Sequence, residues 1–453
     1  MLVYFVNHSS APVNLGGAER SMIALVEDWY AADPEFEAVF ITKAPRGKFI
    51  DAIEQRGWAY RAFPYRGWTI PSQPQPAAEA AYFAKHDYRA VQDIIAMMEQ
   101  RRPDLVVTNT VVAPWGAFAA AVLGIPQAWF IREYGDLDHG LAFQTSRAQT
   151  FADIGLFAGA VFTNSLALRD HVAQYLPPGR RIDVVYPQID RSQLEARAAE
   201  APATEPFSPD AGLKIAMVGR LSESKGQWRA IAAVSELASR GIRADLVLVG
   251  GYERAGYDVE LRDRATALGV GDRVRVVGEQ SNPMPFVAAA DVCVTASGIE
   301  AFGRTTLEYL AAGKPVVASA GGGSGELVID GETGFLFPAE EIEALASRLE
   351  QYARNPELVA AHGAAARERA AQIEAPEFSN TAAIARLREV VGEPAYRLPE
   401  IARHWFALPG LVAEAGGGAR AALSVIANRL PGRLRSAVVA PVAAVRRRAG
   451  GAR

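Results

Sequence analysis

A chain of 453 residues is longer than one ordinary hydrophobic core can cover, so two domains are expected. Apolar residues make up 50% and charged residues 22%, the balance of a soluble globular protein, and a formal charge of -4 gives no reason to expect nucleic acid as a partner. The single cysteine, Cys293, excludes an intrachain disulfide and fits a reducing compartment, that is, a cytoplasmic protein.

In chain order, short β-branched runs alternate with helical patterns, which predicts parallel α/β sheets. The first apolar run, residues 2–6, is too short for a signal segment and lacks a basic leader. It leads into a loop with Gly16-Gly17, then a helix presenting Met22, Leu25, Val26 and Trp29 on one face. Further strands are predicted at 38–41, 105–108, 127–130, 160–163 and 183–185, and residues 64–80, rich in proline and alanine, read as a loop or excursion. Residues 201–212 read as a linker. The alternation then restarts, with strands predicted at 214–218, 245–249, 273–277, 292–296, 315–319 and 334–337. The expected fold class is α/β, with two Rossmann-like doubly wound parallel-sheet domains facing across a cleft. The expected boundaries are 1–200, a linker at 201–212, 213–372, a closing helix at 373–392 and an Arg-rich extension at 393–453. No run of about 18 apolar residues suggests a membrane span.

Four motifs sit where such strands end. Val218-Gly219-Arg220 and the following Lys225 put a close backbone turn and two cations at a strand-to-helix junction, the partners that a diphosphate needs as leaving-group charge develops. A solvated charged loop is the plain alternative. Glu300 and Glu308 flank Phe302-Gly303, followed by Arg304-Thr305-Thr306, whose amides open a helix. Two carboxylates around a glycine turn can hold a polyol beside an anion, although ordinary surface acids and threonine N-caps give the same pattern. Gly321-Gly322-Gly323-Ser324-Gly325-Glu326 lets backbone N–H groups approach a ligand, or is a flexible turn. Gly16-Gly17 is a weaker signal and does not fit a dinucleotide fingerprint, which disfavours a dehydrogenase. Asp136 and Asp138 beside His139 invite a metal, but His8, His139 and His171 lack zinc spacing, so no metal is expected.

Taken together and in order, Val218-Gly219-Arg220-Leu221 with Lys225-Gly226, Leu248-Val249-Gly250-Gly251, Ala289-Ala290-Asp291, the Glu-x7-Glu spacing of Glu300 and Glu308, and Glu332-Thr333-Gly334-Phe335 resemble glycosyltransferase family 4. Asn14-Leu15-Gly16-Gly17-Ala18-Glu19 resembles that family's N-terminal glycine loop. The resemblance spans about residues 1–392 and implies the GT-B fold, retention of anomeric configuration and a nucleoside diphosphate sugar as co-substrate, with no metal. It implies that Gly219, Arg220 and Lys225 hold the diphosphate, Glu308 the ribose and Glu300 the donor sugar. Phe302 and Gly303 stand beside that sugar, Thr305 and Thr306 offer amides to phosphate, and Gly17 closes the site from the other half. Many members carry a histidine after the strand at 127–130. This chain reads Phe130-Ile131-Arg132-Glu133 instead, making Arg132 or Glu133 the candidate to orient sugar or acceptor.

The expected activity is transfer of a hexose to a hydroxyl of a glycan or lipid-linked acceptor in bacterial surface polysaccharide or glycolipid synthesis. A nucleotide-sugar epimerase and a non-catalytic sugar-nucleotide binding protein are the alternatives. From Ile401 onward nine arginines stand against one acid, Glu414. This tail reads either as a contact with an anionic membrane, with Trp405, Phe406 and Leu408 at the interface, or as a solvated extension.

Overall fold

The alternation folds into two parallel sheets in the computed structural model, which describes residues 1–12, 14–71 and 77–406. The first half supplies β1 (Leu2–Asn7), β2 (Glu37–Lys43), β3 (Ala59–Phe63), β4 (Thr69–Pro71), β5 (Leu105–Asn109), β6 (Gln127–Ile131), β7 (Leu141–Phe143), β8 (Ala160–Thr163) and β9 (Ile182–Val184). Seven of these form one sheet in the order β3-β2-β1-β5-β6-β8-β9, every neighbouring pair parallel. β4 and β7 pair antiparallel as a small separate ribbon. β5 and β6 are buried at every position, as expected of central strands covered on both faces by helices.

The second half supplies β10 (Leu213–Val218), β11 (Ala244–Val249), β12 (Val274–Gly278), β13 (Val292–Thr295), β14 (Val316–Ser319) and β15 (Gly334–Phe337). Their order is β12-β11-β10-β13-β14-β15, with the chain reversing direction of winding between β10 and β13. In such sheets ligands bind outside the carboxyl ends of the strands at that switch point, and β1 beside β5 makes the equivalent point in the first sheet.

Each sheet has its own cores. In the first, Trp29 on helix Gly17–Ala32 stacks on Phe36 at 4.5 Å between ring centroids, and Phe5 stacks on Phe40 at 5.6 Å. In the second, Ile231, Val234 and Leu237 cover one face while Leu307, Leu310 and Ile373 cover the other. Helix Asn380–Val391 then crosses back to the first domain, burying Ile384, Leu387 and Val390 among its core residues.

Three local expectations are corrected. β3 is an edge strand missing from the predicted set, because its exposed residues Ala59, Arg61 and Ala62 carry no apolar run. Residues 64–80 contain β4 and the start of the long helix Ala77–Gln100. The extension does not detach at residue 393. Tyr396 packs on Phe157, the Leu398 N–H bonds to the Ala121 carbonyl, and Phe406 is buried beside Phe118 and Tyr88. Phe406 is thus part of the protein's interior and not of a membrane-facing surface, whereas Trp405 is half exposed. Leu408 and the arginines beyond Arg403 lie outside the described residues. Among the described residues no helix is long and apolar enough to cross a membrane.

Candidate donor site at the carboxyl ends of the second sheet

Three strand ends of the second sheet meet at Glu300. After β13 the chain runs through Ser297 to Glu300, whose backbone bridges to Gly322 in the loop after β14, and the Gly323 N–H donates to the Glu300 carbonyl at 2.7 Å. Only glycine fits there, since a Cβ on Gly323 would stand 2.5 Å from the Phe302 Cα. From the loop after β10, Lys225 Nζ donates to Glu300 Oε1 at 2.6 Å, and Ser297 Oγ donates to the same oxygen at 2.6 Å. The Glu300 side chain is 14% exposed. Burial opposes its charge, but the Lys225 ammonium and the two hydrogen bonds outweigh that and hold its pKa below the ordinary value.

Helix Arg304–Ala311 starts at Gly303, which has φ 89° and carries no side chain to cap the helix. The first intrahelical bond runs from the Leu307 N–H to the Gly303 carbonyl, leaving the amides of Arg304, Thr305 and Thr306 ahead of it. The threonines are therefore not N-caps. The Thr306 hydroxyl is spent in a buried chain, 2.9 Å from Thr295 Oγ1 and 3.2 Å from Ser324 Oγ, so that it ties β13, the helix and the glycine loop together. Phe302 contributes backbone alone, because its ring is buried against Tyr186 at 5.4 Å. One turn into the helix, Glu308 Oε1 accepts from Arg304 Nε at 3.2 Å.

The diphosphate candidates stand differently. Arg220 is 60% exposed and among the described residues its side chain pairs with Glu253 alone, at 3.4 Å, so its charge remains available to a ligand. Its loop is held from behind: buried Gln227 donates to the Arg220 carbonyl at 2.9 Å, and the Tyr309 hydroxyl accepts from the Val218 N–H at 2.6 Å. Gln227 and Tyr309 escaped the sequence reading, since neither residue type signals a site. Gly219 is the residue at the turn between that bond and Arg220.

Across the cleft, Gly17 opens helix Gly17–Ala32, and a Cβ on it would meet nothing within 4 Å, so its backbone faces open space. Arg20, one turn on, is close enough to feel the charges of Arg304 and Glu308 in the other domain. Asn14 hydrogen-bonds Glu279 across the cleft, and Glu326 accepts the Leu166 and Ala167 N–H groups at 3.1 and 2.8 Å.

Arg132 does not stand in the open. It is buried, donates to Asn109 Oδ1 at 2.5 Å and lies 5.0 Å from the Phe130 ring. Asn109 in turn donates to Asn7 Oδ1 at 3.0 Å and to the Ala18 carbonyl, and Asn7 donates to Glu19 at 3.2 Å. This network links Arg132 to the glycine-loop helix. Burial lowers the Arg132 pKa to about 10 and raises that of Glu133 to about 8, although Glu133 also accepts the Val111 N–H at 2.6 Å.

From the first domain, His139 lies close enough to Glu300 and to His8 for their charges to interact. Sequence reading weighed His139 only as part of a metal site. Asp138 instead accepts the Tyr134 and Gly135 N–H groups at 2.9 and 2.8 Å, and Asp136 pairs with Arg147 at 2.6 Å. These bonds fold the loop that carries His139. Among the described residues no cluster of three or more potential ligands could hold a metal.

Two family models match this chain, Glycosyltransferase Family 4 over residues 15–193 and Glycosyl transferases group 1 over residues 204–369. A D-inositol 3-phosphate glycosyltransferase of Corynebacterium diphtheriae is 32% identical over 226 residues, 49% of this chain and 50% of that protein. The lipopolysaccharide core biosynthesis glycosyltransferase LpsE of Rhizobium meliloti is 35% identical over 164 residues, 36% of this chain and 42% of that one. The chain thus aligns with half or less of these relatives' length. Among solved structures, Anabaena Alr3699/HepE in complex with UDP superposes with a TM-score of 0.67 at 24% identity, covering 86% of this chain and 100% of that one. Sucrose-phosphate synthase from Thermosynechococcus elongatus gives a TM-score of 0.64 at 19% identity, over 86% of this chain and 99% of that one. Both halves matched in order, two facing parallel sheets of this topology and these neighbours lead to one conclusion: the chain belongs to glycosyltransferase family 4, with the GT-B fold.

Proposed function

We propose that this protein transfers a hexose from a nucleoside diphosphate sugar to a hydroxyl of a glycan or lipid-linked acceptor, with retention at the anomeric carbon. The observation that carries the reading is the Lys225–Glu300 pair, with its carboxylate largely buried, beside an uncapped helix N-terminus. Solved neighbours containing UDP and UDP-glucose support a nucleotide sugar, and relatives named for lipopolysaccharide core and inositol phosphate glycosylation support an acceptor hydroxyl.

In this reading the diphosphate lies between Arg220 and the amides of Thr305 and Thr306, with Gly17 and Gly219 giving close backbone approach. Glu308 takes the ribose hydroxyls. Glu300, fixed by Lys225 and Ser297, takes hydroxyls of the sugar, and His139 meets that sugar from the opposite wall. Breaking the anomeric C–O bond puts negative charge on the diphosphate, where each preorganised donor contributes about 2.7–4 kcal/mol. The acceptor oxygen attacks from the face the diphosphate leaves, and a leaving phosphate oxygen takes its proton. Arg132 acts from beneath, through Asn109, on the position of the glycine-loop helix. Arg220 and Lys225 supply the positive charge, so no metal is required, and activity should persist in EDTA. Work at the inner face of a bacterial membrane suits a lipid-linked acceptor.

The test is a panel of UDP- and GDP-hexoses incubated with the full chain and with glycolipid acceptors, read by mass spectrometry, with the anomeric configuration of the product read by NMR. A glycosylated acceptor of the donor's configuration is expected. Isomerised donor without transfer would establish an epimerase, and nucleotide affinity without turnover a binding protein.

A further inference from the structure

The carboxyl edge of the first sheet carries a feature that the donor site does not use. Three adjacent strands, β3, β2 and β1, end in cationic or ionisable residues: Arg66 in the loop after β3, Lys43 as the last residue of β2 and His8 just after β1. The edge is knitted together, since the Tyr65 hydroxyl donates to the Asn7 carbonyl and Thr42 Oγ1 donates to the Ser9 carbonyl at 3.0 Å. Arg66 is placed twice over, by Asp87 Oδ1 accepting its N–H at 2.6 Å and by the Phe83 ring 4.6 Å from its guanidinium carbon.

Lys43 is the odd member. It is partly buried and makes no ion pair among the described residues, yet it lies close enough to Arg66, Asp87 and His8 to feel their charges. Partial burial and the neighbouring Arg66 disfavour its ammonium, and Asp87 only partly compensates. Asp87 is itself buried, already engaged by backbone N–H groups, and its pKa is raised to about 6. His8 is kept neutral by burial despite Glu19. A lysine held in such surroundings lacks the counter-charge that would normally accompany it.

Resting on the glycosyltransferase reading, we propose that Lys43 and Arg66 bind a phosphate group of the acceptor, so that the enzyme glycosylates a phosphorylated or diphosphate-linked hydroxyl compound. The site lies on the first domain, at the carboxyl ends of β2 and β3. It fixes the acceptor by its anion while the hydroxyl end reaches towards Glu300 and His139. Two cations from neighbouring strand ends suit the dianionic charge of a phosphate.

The experiment uses the full chain saturated with UDP and GDP, which fills the donor phosphate site, titrated with inorganic phosphate by calorimetry. The wild type and Lys48→Met, a substitution at the exposed first residue of the nearby helix Lys48–Gln55, should bind phosphate equally. Lys43→Met and Arg66→Met should weaken binding tenfold or more, with thermal melting confirming that they fold. Transfer assays then compare a neutral alkyl glycoside, a soluble hexose phosphate and a hexose diphosphate on a long-chain lipid. Lys43→Met should raise KM tenfold or more for the charged acceptors alone. Use of the soluble phosphate would assign a free metabolite, and use of the lipid-borne compound alone a carrier headgroup. Absence of phosphate binding in the wild type, unchanged binding in Lys43→Met, or equal KM effects on neutral and charged acceptors would each overturn the proposal. Loss of nucleotide binding in the wild type would instead overturn the donor assignment on which it rests.

Discussion

The two strand-end rims that face each other across the cleft are built from different materials. On the second sheet the site is made by backbone brought close: Gly303 turns at φ 89°, and Gly322 and Gly323 lie against Glu300 and Phe302 with no room for a Cβ. Its side-chain charges come from one loop, Lys225 turned inward onto Glu300 and Arg220 left exposed. On the first sheet the rim is made by side chains locked to one another, Arg132 to Asn109 to Asn7 to Glu19, mostly out of water. The comparison teaches that one rim is shaped to receive a charged ligand by main-chain approach, while the stretch of the other around Arg132 is a rigid wall whose side chains are tied mostly to one another. Substitutions on the two should fail in different ways.

The largest effect is expected on the second rim. Arg220→Ala should lower the transfer rate by about 10²–10³, the usual loss for one preorganised oxyanion donor, with little change in melting temperature, because the side chain is exposed. Lys225→Ala should cost a similar factor in rate and, in addition, stability, because it strips the partner from a buried carboxylate. Steady-state kinetics beside thermal melting separate the two. Equal stability loss in both variants would contradict the division between ligand-facing and structural charge.

Next comes the main-chain approach itself. Gly323→Ala places a methyl 2.5 Å from the Phe302 Cα, a backbone atom that cannot swing aside. Overpacking of this kind costs about 1–3 kcal/mol and should push the glycine loop off Glu300. Calorimetry should show weakened nucleotide-sugar affinity. By contrast Gly17→Ala meets nothing within 4 Å, and any loss there would come from the ligand side.

This asymmetry also explains what the sequence disclosed. The donor rim was readable because glycine, cation and carboxylate follow a strand end within a few residues, a local pattern that survives without knowing sheet order. Glu300, Lys225, Arg220 and Glu308 all come to that one rim. The opposite wall joins Asn7, Asn109 and Arg132, which are 102 and 23 residues apart. Only the order β1-β5-β6 makes them neighbours, and no residue type among them announces it. Arg132 stands out in the sequence where a histidine is expected, but its burial under the wall follows from that pairing. His139 was hidden for another reason: its approach to Glu300, near enough for the charges to interact, follows Asp138 folding the segment that carries it, and the two aspartates drew attention to a metal instead.

The wall can be sharpened by pH. Glu133 has its pKa raised by burial to about 8, so between the ordinary carboxylate range and that value the unfolded chain loses a proton the native state keeps. Fewer protons bound to the unfolded state mean that this group's contribution falls as pH rises through that window, and levels off above it. Urea unfolding at pH 5.5 and pH 8 should show a drop in stability with rising pH that is smaller in Glu133→Gln, which still offers an oxygen to the Val111 N–H. Identical pH dependence in the two proteins would mean that Glu133 is ionised with Arg132 as its partner.

The smallest effect tests how the rims are held together. Glu326 follows the glycine loop of the second domain, and its two oxygens accept the first free amides of helix Leu166–Ala173 in the other domain, whose third donor is capped by Ser165. A carboxylate at a helix N-terminus gains from the helix dipole as well. The loop that touches Glu300 at one end therefore grips the first domain at the other, so donor binding and domain position share one segment. Glu326→Ala removes both bonds, each worth about 1 kcal/mol net, and should shift the balance between open and closed arrangements by about 30-fold. Small-angle scattering of the nucleotide-free protein should then give a larger radius of gyration, which saturating UDP reverses. Asn14→Ala, which cuts an exposed cross-cleft bond to Glu279, should change it less, because water replaces that bond at little cost. Indistinguishable scattering from all three proteins would show that the linker and helix Asn380–Val391 alone set the domain arrangement, and that Glu326 merely caps a helix.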